Sequence, residues 1–137
     1  MFDVEAFKDG ALQFLVAFGA AGLFAVAFKY LYQLTTPYEE RKLIREGNVA
    51  AAVALGGALI GYALPVASAL SQAHGLGEFA AWAVLAAVIQ IVTFLVVRRL
   101  AVPDVGARIE RGELSIAVYL AAISIVVGLL NAASMTE

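Results

Sequence analysis

Charged residues come in blocks along this chain, and four uncharged apolar stretches run between the blocks. Residues 11–28 carry no charge, and the apolar pattern continues through Lys29 to Leu34. Residues 48–70, 79–97 and 114–133 form the other three stretches. Each is close to the roughly 20 residues that a helix needs to cross about 30 Å of hydrocarbon. None shows the two-residue alternation of a barrel strand, and in lipid every backbone amide must be satisfied within its own element. The pattern predicts four transmembrane helices.

The joints between them differ in kind. Residues 73–78 (AHGLGE) are short and hold two glycines, which predicts a tight hairpin between the second and third helices. Residues 35–47 and 98–113 are longer and hold most of the charge. Each has a proline near its start, Pro37 or Pro103, that closes the preceding helix. Each then ends in IREG or IERG. Tyr38, Leu43 and Ile44 can lie on the membrane while Arg41, Lys42 and Arg45 face water; Val105 and Ile109 pair in the same way with Arg108 and Arg111. Two amphipathic elbow helices in the membrane interface are expected.

A displacement of 65 residues brings the two halves into register. Ile44 falls on Ile109, Gly47 on Gly112, Leu55 on Leu120, Ile60 on Ile125 and Leu64 on Leu129. The chain therefore reads as one transmembrane domain over residues 1–137, with repeat one at 11–72 and repeat two at 76–136. Two-helix units enter the membrane in the same direction, so the repeats are parallel rather than inverted. The fold class expected is an all-α, four-helix integral membrane bundle of two tandem two-helix repeats joined through cytoplasmic elbows.

Composition agrees with a membrane setting. Of 137 residues, 63% are hydrophobic and 15% charged, against roughly 45–50% and about 25% in a soluble domain. The net charge of −2 leaves no basic footprint for nucleic acid. The absence of cysteine excludes disulfides and thiol chemistry. The acidic start, MFDVEAFKDG, lacks the basic region of a signal peptide, so the first apolar stretch is expected to be retained. Lys29, Arg41, Lys42, Arg45, Arg98, Arg99, Arg108 and Arg111, eight of the nine basic residues, flank the two long joints. The positive-inside rule then puts both elbows in the cytoplasm of a bacterial inner membrane and both termini outside.

The run REGNVAAAVALGGALIGYALPVASA (residues 45–69), with Gly47, Asn48, Gly56, Gly57 and Pro65, and the ending GLLNAASMT around Asn131 carry a family resemblance. Together with IERGELSIAVYLAAISIVV before that ending, they resemble the YjfL-like small bacterial inner-membrane proteins, domain-of-unknown-function family 350. The resemblance spans nearly the whole chain. It implies a four-helix, membrane-embedded fold and no particular activity.

Residues able to do chemistry are scarce. His74 is the sole histidine and lies in the hairpin, whereas metal sites need several ligands at fixed spacing. No carboxylate pair interrupts the apolar stretches, and GGALIG (56–61) lacks the GKS/T ending of a phosphate loop. No catalytic residue, metal or cofactor is expected, and the chain is not read as an enzyme.

What remains is polarity and small size inside the membrane. Gly57 and Gly61 form a GxxxG pair that Pro65 and Ser68 extend; Ser124 and Asn131 lie on a similar face of the last helix. Such faces let helix backbones approach closely. Gln90 is the polar residue nearest mid-membrane and must face protein or water. These seven are candidate helix-interface or pore residues. Pro65 removes a backbone donor and is expected to bend its helix. Asn48 and Glu113, at equivalent positions, are candidate helix caps. The basic elbow residues Arg41, Lys42, Arg45, Arg108 and Arg111 are candidates for facing anionic lipid or a partner.

The functional expectation is an oligomeric, non-enzymatic membrane module or scaffold of the cell envelope. Its partners would be the lipid bilayer, further copies of itself and a cytoplasmic protein, without nucleic acid. The alternative is a subunit of a small oligomeric ion channel or transporter, with a path lined by the small and amide residues.

Overall fold

The structure, a computed structural model, describes residues 2–135. Thr136, the last residue read into the second repeat, lies outside the described residues. Six helices follow in order: α1 Val4–Thr35, α2 Glu40–Arg45, α3 Val49–Gln72, α4 Leu76–Leu100, α5 Val105–Glu110 and α6 Leu114–Ser134. α1, α3, α4 and α6 are long and apolar enough to cross a membrane, and no strand occurs among the described residues.

Helix ends follow local chemistry. α1 begins at Val4, ahead of the apolar stretch, because the Asp3 carboxylate accepts from the Glu5 and Ala6 amides at 3.0 and 3.2 Å. α2 and α5 both stop at a glycine in the left-handed region, Gly47 with φ 88° and Gly112 with φ 77°. In each case the next amide reaches five residues back, Asn48 N–H to Leu43 C=O (2.8 Å) and Glu113 N–H to Arg108 C=O (3.1 Å). This is a Schellman closure, which favours a residue without a Cβ at the left-handed position. α5 stands 65 residues after α2 (40 and 105, 45 and 110), and α6 starts 65 after α3 (49 and 114).

α3 and α6 make the centre. Gly57 lies on Ala121, Gly61 on Ser124 and Gly128, and Ser68 Oγ donates to Ala132 C=O at 3.2 Å. Contacts that advance together along both helices define a parallel, in-register pair. α4 packs against both members of this spine, and α1 rests on α3 and α4. An aromatic seam fixes α1: Phe24 meets Phe79 edge-on at 5.6 Å, Phe28 stacks on Tyr62 at 4.3 Å, and Tyr32 meets Phe94 at 4.9 Å.

A second core closes the elbow end. Tyr38, Val102, Val105 and Ile109 pack on Ala50, Ala51, Ala54, Ala117 and Leu120 at the starts of α3 and α6. The sequence reading laid Tyr38, Val105 and Ile109 on the membrane; the structure turns all three inward. Alanines at the spine's start leave room for them, and covering protein satisfies their apolar faces as well as lipid would. Ile44 stays exposed. The two elbows also touch, with Pro37 packed over Gly106.

Candidate functional site

The spine seam gathers most of the residues singled out from sequence. A methyl group at Gly57 would collide with Ala121, and one at Gly61 with the Ser124 carbonyl. Pro65 is buried in α3 and has no N–H to give to the carbonyl four residues back, that of Gly61. That carbonyl faces Gly128, whose missing side chain lets the two backbones meet. A Cα–H of Gly128 against the Gly61 oxygen is the kind of weak contact that recurs at close helix crossings.

Side-chain donors then tie the long helices through backbone oxygens. Gln90 Nε2 on α4 donates to the Ser124 C=O of α6 at 3.3 Å. Asn131 Nδ2 on α6 donates to the Ala86 C=O of α4 at 3.3 Å. Tyr62 Oη on α3 donates to the Ala83 C=O at 2.8 Å, a bond the sequence reading missed. Ser124 thus contributes its carbonyl rather than its hydroxyl. Gln90 and Asn131 are both buried, and Gln90 Oε1 is left without a hydrogen-bond partner.

At the elbow end the two candidate caps part ways. Asn48 Oδ1 accepts from the Ala51 amide at 2.9 Å, a true cap, while its Nδ2 donates to the Ile109 C=O at 2.9 Å and so joins the two elbows. Glu113 occupies the equivalent position without capping. Its carboxylate binds Arg108 Nε at 3.0 Å and Arg111 Nη2 at 2.6 Å instead. With Arg111 Nε also donating at 3.1 Å, three charge-assisted bonds outcompete the neutral amides. The hydrogen bonds from Arg111 and then Arg108 hold the Glu113 carboxyl below the usual carboxylate range.

The basic candidates divide accordingly. Arg108 and Arg111 are engaged by Glu113, whereas Arg41, Lys42 and Arg45 are exposed and make no ion pair among the described residues. His74 is exposed in the hairpin, and its backbone N–H approaches Glu78 at 3.4 Å. No cluster of three or more potential metal-ligating His, Cys, Asp or Glu side chains occurs among the described residues.

Sequence reasoning also missed Glu40. This carboxyl is 2% exposed, at the head of α2, with one oxygen on the Thr36 hydroxyl. Burial pushes it above the usual carboxylate range and likewise raises the Tyr38 phenol beside it. The signal was present: Glu40 shares a face with Leu43 and Ile44 at three- and four-residue spacing. Nearby, Arg98 Nη1 of α4 donates to the Thr35 C=O at 2.7 Å and pins the end of α1. A cleft of about 750 Å³ opens outward from Thr36, Tyr38 and Glu40 past Arg41 and Lys42.

Comparison with known proteins places these features in a family. The family described as Domain of Unknown Function (DUF350) matches residues 6–135. The inner membrane protein YjfL of Escherichia coli K12 is 32% identical over 128 residues, covering 93% of this chain and 96% of that protein. The transmembrane protein YshE of Bacillus subtilis is 25% identical over 92 residues, 67% of this chain and 69% of its own length. No solved structure matches.

Proposed function

The chain belongs to the DUF350 family and is a multi-pass inner-membrane protein, and from that premise we propose that it works as a non-enzymatic membrane module assembled from several copies of itself. The observation that carries this reading is the first half of α1. Its packing on the rest of the chain begins at Ala20 and Ala21 and continues through Phe24, Phe28 and Tyr32. Nearer the start, a cavity of about 560 Å³ separates Leu12, Val16 and Ala17 from Leu70, His74 and Phe79. Phe14 and Phe18 stack on each other at 6.0 Å and are otherwise bare. Helices in lipid associate by packing, and this arm has a face free for a neighbour. The small faces of α3 and α6 are already occupied within the chain, so copies would meet through α1.

The two halves act as tandem, parallel repeats with their elbows in the cytoplasm and both termini outside. The distribution of basic residues supports that orientation. The first elbow, with Arg41, Lys42 and Arg45 in no ion pair among the described residues, is then the surface offered to an acidic cytoplasmic partner or to anionic headgroups. A conduit is the second reading, favoured by Gln90 Oε1, a buried acceptor within α4 that has no hydrogen-bond partner among the described residues and that a water or an ion would satisfy. Reconstitution into liposomes, with native mass measured in parallel, separates the two. The module reading expects tight vesicles and a multimer that Phe14→Ala with Phe18→Ala dissociates. A monomeric wild type sinks the assembly; a selective flux that Gln90→Leu abolishes at unchanged mass establishes the conduit.

A further inference from the structure

Glu40 in α2 stands where Val105 stands in α5, 65 residues on. Both side chains are buried, Glu40 2% exposed and Val105 0%. One elbow fills this core position with an aliphatic group and the other with a carboxyl. Burying a carboxylate is costly unless it is paired and hydrogen-bonded.

The surroundings of Glu40 do not pair it. Among the described residues it enters no ion pair, and its Oε2 is buried without a hydrogen-bond partner. Its Oε1 meets the hydroxyl of Thr36. That hydroxyl has one proton and faces two further acceptors, Gln33 C=O at 3.0 Å and Tyr38 C=O at 3.1 Å. With Glu40 ionised, the proton is claimed by the carboxylate, both carbonyls lose that donor, and a charged oxygen stays buried and bare. With Glu40 protonated, Oε1–H donates to Thr36 Oγ, and Thr36 passes its own proton to a carbonyl. The arrangement of donors and acceptors fits the neutral acid.

We propose that Glu40 is a proton-binding site: the first elbow holds it as the neutral acid, and loss of its proton loosens α2 from the helices beneath it. The charged and titratable groups facing it are Lys29 and Tyr32 from α1 and Tyr38 from the connection, with Arg98 of α4 acting on Tyr38. Lys29 attracts the ionised form but is half-exposed, with its ammonium 5.3 Å from the Tyr30 ring centre. Arg98 is committed to the Thr35 carbonyl. α3, on which α2 packs, carries no charged side chain. An ionised Glu40 therefore gains most by turning into the open cleft, where water solvates it and where Arg41 and Lys42 stand beside Glu39, Glu46 and, from α5, Glu110. That movement ties the display of Arg41, Lys42 and Arg45 to pH, whatever partner they meet.

The test uses the full chain in nanodiscs, labelled with carboxyl-13C glutamate. Its infrared spectrum at neutral pH should keep one carboxylic-acid C=O band that disappears on titration to alkaline pH and is missing from Glu40→Gln. Tryptic cleavage within α2 should rise with pH by up to about tenfold per unit as that proton is lost. The Glu40→Gln profile supplies the protease's own pH dependence and should not show this additional rise. Absence of the acid band from wild type at neutral pH overturns the proposal, even if Glu40→Gln fails to fold. Identical cleavage profiles in the two proteins overturn the coupling to α2.

Discussion

A methyl group at Gly128 would fall inside the Gly61 carbonyl, whereas one at Gly56 would meet nothing within 4 Å. Both glycines lie within apolar helices, so helix propensity alone treats them alike. Overpacking a close crossing costs about 1–3 kcal/mol. Gly128→Ala should therefore lower the thermal midpoint in detergent while Gly56→Ala leaves it unchanged or raises it. Equal effects would mean that α3 and α6 do not touch there. The sequence made the small residues legible, because a GxxxG spacing places glycines on one helix face. It could not tell which atoms face them. Ser124 read as a small residue of the α6 face and takes part through its carbonyl, since in a close crossing the backbone is the nearest surface. Glu40 was passed over because a carboxylate in a charged joint resembles its solvated neighbours until the fold covers it.

Among elements, the elbows carry the sharpest contrast. Asn48 both caps α3 and bonds across to Ile109, so Asn48→Ala should cost about 1 kcal/mol for the cap and more for the lost link. Glu113→Gln should cost less, because Arg111 is exposed, Arg108 is only half-buried and salt screens both. Chemical unfolding of the two variants at low and high salt checks this: only the Glu113→Gln difference should shrink with salt. The Glu113 pair has a pH sign as well. Its depressed carboxyl contributes stability above the ordinary carboxylate range and loses it as acid titrates the group through its lowered value. The long helices were readable from uninterrupted apolar length, and α2 and α5 from proline, amphipathic spacing and glycine. The burial of Tyr38, Val105 and Ile109 was not, because an apolar face is equally content on lipid and on protein.

For the molecule as a whole, the parallel α3–α6 spine determines the rest. Parallel central helices put both elbows at one end and the α3–α4 hairpin at the other. The proposed orientation, which rests on the charge pattern, puts the elbow end in the cytoplasm. The 65-residue register carried no sign of the lopsided place of α1, which rests on α3 and α4 and leaves its first half free. Topology is the most direct test, and a chain without cysteine makes it clean. Single cysteines at Arg45, Arg111 and His74 would be labelled with a membrane-impermeant thiol reagent in right-side-out and inverted vesicles. The account predicts labelling of Arg45→Cys and Arg111→Cys only in inverted vesicles, and of His74→Cys only in right-side-out ones. Labelling of the two elbow positions from opposite faces would contradict the parallel spine and the architecture built on it.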